Sequence, residues 1–248
     1  MDDKTIKNEV KDRYRDIVLS NSSCCSGCDC GSANVEINPL IDYSAEGVEV
    51  VEGSDLGLGC GMPTQFVQIE PGQTVLDLGS GAGIDVFLAA KKVGPTGLAI
   101  GVDMTEEMIE KARTNARNAG ITNVDFRLGE IENLPVADQT VDLVLSNCVI
   151  NLVPDKRRAF AEIHRVLKSG GRFCISDVVT YGQMPEEMRQ DMSLWAGCVA
   201  GAIDKEEYLE LVRESGFEDL KTHQYSIYDA VKQENFGMGS LTLEATKH

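Results

Sequence analysis

Three glycines close a run that reads Val75-Leu76-Asp77-Leu78-Gly79-Ser80-Gly81-Ala82-Gly83-Ile84-Asp85. The apolar stretch after Thr74 predicts a buried parallel strand, and Ile84–Val93 has the content of a helix. Glycines at such a junction let the backbone turn tightly and meet a ligand with no Cβ in the way. The next strand, Ala99–Asp103, ends in an acid about 20 residues on, where a ribose hydroxyl pair needs an acceptor. A dinucleotide site usually carries GxGxxG, with a helix N-terminus aimed at pyrophosphate. This turn is Gly-Ser-Gly-Ala-Gly, and Asp85 in the first helical turn would repel pyrophosphate. A ligand with a ribose and no phosphate fits better, and S-adenosylmethionine is the common one. Asp77, Gly79, Gly81 and Gly83 would form its cradle, with Asp103 and Met104 beside the ribose. The plainer alternative is a packing turn, and the acid at 103 weighs against it.

The second set of reactive residues is the eight cysteines. In a reducing compartment they are thiols rather than bridges. Four crowd into Cys24-Cys25-Ser26-Gly27-Cys28-Asp29-Cys30, without the two separated pairs of a zinc knuckle. That cluster suits a soft, thiophilic ion, or it is simply a mobile thiol-rich segment among Ser, Gly, Asn and Asp. Cys174 falls mid-strand and reads as core. Cys148, taken alone, reads as a small buried hydrophobe. His164 lies within a helix, His223 near a late strand and His248 at the terminus, so a Cys–His nucleophile is not expected. Cys60, Cys148 and Cys198 together suggest more. They lie in a glycine-dense loop, at a strand end and in an insertion that should share one cleft. Three thiolates there suit an ion with a stereochemical lone pair, such as trivalent arsenic.

The elements that must position these groups alternate. Strands are predicted at Thr74–Leu78, Ala99–Asp103, Val124–Leu128, Val141–Ser146 and Arg172–Asp177, and helices at 84–93, 105–119, 155–168 and 203–215. An apolar stripe marks a further helix over 4–20. Thr105 reads as an N-cap and Gly120 as a C-cap, while Gly170-Gly171 should close the helix ending at Lys168. The pattern predicts a parallel sheet with helices on both faces, binding ligands at the strands' carboxyl ends. Residues 178–201 break it as a lid, and the tail from 219 returns as the last strands. At the third and fourth strand ends, Glu130 or Glu132 with Ile131 would frame an adenine, and Asn147 would face the cofactor cleft. The organisation expected is 1–50 as an N-terminal helix and cysteine-rich segment, 51–180 as the cofactor-binding core, and 181–248 as lid and completing strands.

Composition narrows the partners. A formal charge of −17 over 248 residues disfavours nucleic acid. The triplet Lys156-Arg157-Arg158 is expected on a solvated helix face. No apolar run reaches the roughly 20 residues of a membrane span, and the polar N-terminus is no secretory signal. A cytoplasmic protein without membrane or nucleic-acid partners is the expectation.

From Asp55 to about Phe217 the chain resembles the arsenite S-adenosylmethionine methyltransferases, within the class I methyltransferases. Gly57-Leu58-Gly59-Cys60-Gly61, the 77–83 turn, Ser146-Asn147-Cys148-Val149-Ile150-Asn151-Leu152 and Trp195-Ala196-Gly197-Cys198-Val199-Ala200-Gly201-Ala202 carry the resemblance. It implies a Rossmann-like α/β fold and an S-adenosylmethionine cofactor. Cys60, Cys148 and Cys198 would be the As(III) ligands and catalytic thiols, with Cys24 and Cys25 as further arsenic contacts. It also implies a disulfide-forming role for Cys60 and a glutathione or thioredoxin-type reductant. The substrate would be arsenite or its thiol conjugates. Met62 stands where relatives usually have Asn after Gly-Cys-Gly. The rival readings are a methyltransferase for a small organic acceptor and a thiol-rich metalloid-binding protein without turnover.

Overall fold

The computed structural model describes residues 2–20, 43, 49–191, 194–195, 197–228 and 235–248. The cysteines at 24, 25, 28 and 30 and the first residues of the 46–66 loop lie outside the described residues. Strands β1 (Thr74–Leu78), β2 (Leu98–Asp103), β3 (Val124–Leu128), β4 (Val141–Asn147), β5 (Leu167–Gly182), β6 (Phe217–Ile227) and β7 (Phe236–Lys247) form one sheet. Its order is β3-β2-β1-β4-β5-β7-β6. The first five strands run parallel, and β7 enters antiparallel between β5 and β6. Around them lie α1 (Asp3–Ser20), α2 (Pro63–Phe66), α3 (Ile84–Val93), α4 (Glu106–Ala119), α5 (Lys156–Val166), α6 (Glu186–Arg189) and α7 (Lys205–Glu214).

The order reverses between β1 and β4, where crossovers leave towards opposite edges and a crevice opens at the carboxyl ends. On one face, Val86, Phe87, Ala90 and Val93 of α3 pack with Ile109 and Ala112 of α4 against Val75, Ala99 and Leu145. On the other, Phe160 and Ile163 of α5 and Tyr208 and Val212 of α7 meet Val144, Phe173 and Leu243. Phe173 and Phe217 stack edge-on with centroids 4.8 Å apart. Each buried Leu, Val or Phe contributes about 1.5–3 kcal/mol, so both layers fix the strand ends on which the site is built.

Several boundaries differ from the sequence reading. The helix expected over 155–168 stops at Val166, and Leu167 already pairs with Val141. Residues 168–171 loop out between that pair and Leu143–Arg172, so Gly170-Gly171 belong to a strand irregularity and do not cap the helix. The expected lid begins later than 178, because Val178–Gly182 continue β5 against Ser240–Phe236 of β7. Gly237, Met238 and Gly239 sit in regular register opposite Tyr181, Thr180 and Val179. Thr105 occupies the N-cap position of α4, but its side chain makes no capping bond. Gly120 does close that helix in a left-handed conformation. Among the described residues, no helix is long and apolar enough to cross a membrane.

Candidate active site

The β1–α3 turn forms the floor of a cleft at the sheet's carboxyl edge. Gly79 has φ +62°, and a Cβ there would come within 2.5 Å of a Val149 methyl. Only glycine serves both the turn and that close approach. Gly81, also left-handed at φ +51°, donates its N–H to Asp103 Oδ2 at 3.0 Å. The N–H of Thr105 donates to Oδ1 at 2.8 Å. A carboxylate accepts about four hydrogen bonds, so Asp103 ties the two turns together and keeps capacity on the cleft side, where it lines the wall.

Three carboxylates crowd this floor. Burial first, then the charges of Asp85 and Asp103, hold Asp77 well above the usual carboxylate range. Burial pushes Asp85 up to about 6, against the pull of the Tyr43 hydroxyl, and burial raises Asp103 as well. Ser80 Oγ and Asp85 Oδ1 are buried without a hydrogen-bond partner among the described residues, and both residues line the cleft. Anions that resist ionisation, beside unused polar atoms, are relieved by a ligand that brings positive charge and donors. The sulfonium, α-ammonium and ribose groups of S-adenosylmethionine meet that requirement, so the residues present fit it.

Helix α1 forms a wall of the same cleft, which the sequence did not suggest. Val10 is buried, and Lys7 reaches Glu130 at 2.7 Å and Glu132 at 3.0 Å. The two acids differ: Glu132 is 7% exposed, while Glu130 faces solvent. Buried Ile131 and half-buried Met104 line the wall beside them.

Asn147 borders the cleft, but its polar atoms are committed elsewhere. Oδ1 accepts from the N–H groups of Cys60 and Gly61, both at 3.1 Å. Nδ2 donates to Gly61 O at 2.6 Å and to the Tyr43 hydroxyl at 2.9 Å. That hydroxyl donates in turn to Asp85 Oδ2 at 2.9 Å. The amide therefore clamps the 59–61 loop to the glycine-turn helix. Tyr43 was missed from sequence, since nothing local marks a lone tyrosine as the buried end of such a network.

The thiols of Cys60, Cys148 and Cys198 share one apolar patch with Val10, Leu152, Val178 and Met238. Cys148 and Cys198 both adopt left-handed φ, 61° and 62°, a conformation that costs a non-glycine residue free energy. Cys198 Sγ donates to Cys148 O at 2.9 Å, and Cys60 Sγ donates to Ser176 O at 3.7 Å. The Cys148 sulfur pulls Cys60 down, but burial and the Asp177 and Cys198 charges outweigh it and raise Cys60. The Cys198 sulfur favours a Cys148 thiolate, but Cys60 and burial hold Cys148 far up. Cys198 is raised too, first by Cys148 and then by burial. All three are protonated thiols at neutral pH. Among the described residues, no three His, Cys, Asp or Glu are already gathered as a metal-holding set, so any shared ion must draw the thiols together. Cys174 is fully buried in the core, apart from them.

One further expectation is overturned. Lys156 is not on a solvated face: it is 8% exposed, and its ammonium donates to the carbonyls of Val153 at 3.0 Å and Asn151 at 3.3 Å. Arg157 and Arg158 do face outward. Lys156 stands at the first turn of α5, just after a 3-10 turn whose end leaves the Asn151 and Val153 carbonyls for it to meet, so it folds back over that turn instead of extending.

Comparison with known proteins adds the following. A family model described as a methyltransferase domain matches residues 69–216. The chain is 44% identical over 264 aligned residues to an arsenite methyltransferase of Halobacterium salinarum, covering 99% of this chain and 68% of that protein. It is 36% identical over 243 residues to the arsenite methyltransferase of Aquipseudomonas alcaligenes, covering 93% and 68%. The crystal structure of an arsenic(III) S-adenosylmethionine methyltransferase from Chlamydomonas reinhardtii superposes with a TM-score of 0.69 at 36% identity, over 76% of this chain and 67% of that one. The chain thus spans about two thirds of the length of each.

Proposed function

The chain belongs to the arsenite methyltransferase family, and from that premise we propose that it transfers a methyl group from S-adenosylmethionine to trivalent arsenic held by Cys60, Cys148 and Cys198. The observation that carries the reading is the meeting of three protonated thiols on one apolar patch, beside a cleft floor that calls for a cation. Asp103 would hold the ribose, the turn at Gly79–Gly83 the methionine portion, and Ile131 with Met104 the adenine face. Lys7 is shared by Glu130 and Glu132 nearby, so one of the two negative charges on that wall is offset.

Protonated thiols suit arsenite. Each As–S bond forms as an As–O bond breaks, and the thiol proton leaves with the hydroxyl as water. Three exchanges release three waters and no net proton, so raised thiol pKa values do not oppose loading. When bound, S-adenosylmethionine supplies a methyl group on a positively charged sulfur, which an arsenic lone pair takes without a base. The protein's contribution is to hold acceptor and donor together in a site shielded from water. Return of the methylated product to the trivalent state takes two electrons from two thiols, leaving a disulfide. Cys60, the half-buried member, is the one within reach of an outside glutathione or thioredoxin-type donor.

The test is to incubate reduced protein with arsenite, S-adenosylmethionine and glutathione, and to separate arsenic species by mass spectrometry. Methylated arsenic that disappears in Cys148→Ser, with cofactor binding intact, is the expected result. Tight cofactor binding with no methylated arsenic in the wild type would overturn it and point to an organic acceptor.

A further inference from the structure

A buried ammonium is costly unless its donors are satisfied, and Lys156 spends its own on the chain between two of the thiols. Its contacts to the Asn151 and Val153 carbonyls hold the 3-10 turn that follows Cys148. Its third direction meets the Trp195 ring, with Nζ 5.6 Å from the centroid, within cation–π reach. Trp195 leads into the turn that carries Cys198, whose N–H donates to Trp195 O at 3.0 Å. Asn151 closes the same gap: Nδ2 donates to Val178 O at 2.7 Å and to Cys198 O at 3.3 Å. Gly201 completes the fit, since a Cβ there would collide with Asn151 O and come within 2.7 Å of the Trp195 ring.

We infer that Lys156 is a positioning residue of the arsenic site, latching the Cys198 turn onto the segment that carries Cys148 through the Asn151 carbonyl and the Trp195 ring. The inference rests on the reading that these two thiols hold arsenic. Left-handed φ at both cysteines is strained and persists only where surroundings over-determine it; Lys156 contacts both surroundings at once. Without the ammonium, the Trp195 ring keeps its Nε1–H bond to Arg189 O at 3.2 Å but loses its tie to the Asn151 segment, which leaves the Asn151 Nδ2 bond to Cys198 O at 3.3 Å to hold that side of the turn.

The test compares Lys156→Met, Lys156→Arg and Trp195→Leu with the wild type. For Lys156→Met, the arsenite KM rises about tenfold, as expected for a lost cation–π contact near 1.4 kcal/mol. Its affinity for S-adenosylmethionine and its kcat at saturating arsenite stay close to wild type. Lys156→Arg restores most of the KM, because the charge over the ring is kept, and Trp195→Leu reproduces the methionine variant. An unchanged arsenite KM in both Lys156→Met and Trp195→Leu would overturn the latch, as would a loss shared equally by KM, kcat and cofactor affinity. If Lys156→Met fails to fold, Trp195→Leu decides by the same KM. Trp195 is the chain's one tryptophan, so its fluorescence during arsenite titration reads the turn without turnover. A wild type that responds to arsenite but makes no methylated product would sink the catalytic reading alone. A response unaltered in Lys156→Met would sink the latch alone.

Discussion

Asn147→Ala separates two roles that the sequence left merged. An asparagine amide offers two N–H donors and two acceptor lone pairs, and here all four are engaged, by the Cys60 and Gly61 N–H groups, Gly61 O and the Tyr43 hydroxyl. Nothing is left for a bound cofactor. Removal strands the Cys60 and Gly61 N–H groups, at about 1–3 kcal/mol for each that water does not reach, while Gly61 O keeps the Tyr43 hydroxyl at 3.4 Å. Gly59 and Cys60 are half-buried and Gly61 is buried, so the Cys60 N–H recovers some water, and the net loss is about 2–4 kcal/mol. Urea unfolding at constant m reads this as a lower midpoint. Calorimetry with S-adenosylmethionine should show a Kd within about threefold of wild type, an energy change below 1 kcal/mol. The arsenite KM should rise more, since the loop carrying Cys60 loses its clamp. A variant of normal stability with S-adenosylmethionine binding reduced about a hundredfold or more would refute the clamp and return Asn147 to the cofactor.

Other perturbations have distinct signatures. Cys148→Ser and Cys198→Ser should each abolish arsenic methylation while isothermal calorimetry still shows cofactor binding; Cys174→Ala, a core change, should keep turnover and lose only stability. Lys7→Met leaves the buried Glu132 without its cation, so Tm should fall, and on the more negative wall S-adenosylmethionine binding should depend more steeply on salt than in the wild type. Asp85, at about 6 against an ordinary 3.8, binds more protons folded than unfolded between those values. Its contribution is therefore fully present below 3.8 and is lost as pH rises through about 6. A cationic ligand offsets that loss, so the thermal upshift on adding S-adenosylmethionine should be larger near pH 7.5 than near pH 5.5. An equal shift at both would count against the acid floor as the cation's partner. Gly79→Ala places a methyl group against Val149 and should lower both Tm and cofactor affinity.

The parallel half of the fold was legible because its signals are local. The β1–α3 turn, β2 ending at Asp103 and α4 closing at Gly120 each follow from apolar runs and glycine. Where the sequence failed, distant partners decide. Lys156 looked like one third of a basic surface triplet; its burial depends on Trp195 and on the carbonyls of Asn151 and Val153. Asn147 was placed at the right edge, but no spacing rule says that an amide at a strand end will saturate itself on a loop far back in the chain. The stripe on α1 marked a buried face without saying that the face covers the cleft. β5 was underestimated because Gly170-Gly171 read as a helix stop, while β7 supplied the pairing that carried the strand on to Gly182.

The cleft's two ends ask for opposite things, and this accounts for the absence of histidine from its described lining. Around Gly79–Gly83, carboxylates pushed up by burial and mutual repulsion favour a cation. Around Cys148, the thiols are held neutral by burial and by one another. A base placed between them would ionise the thiols before a substrate arrived, adding like charges to a region where Asp177 already opposes them. His164 packs edge-on to Phe217 and His223 pairs with Glu244, both outside that lining. Arsenite brings its own leaving hydroxyls to carry off the thiol protons, and an arsenic lone pair needs no deprotonation to act. The proposed chemistry is therefore compatible with neutral thiols at the acceptor end, although Asp177 and the Lys156 ammonium stand near them, while the carboxylates around Gly79–Gly83 are the groups that favour a cationic ligand.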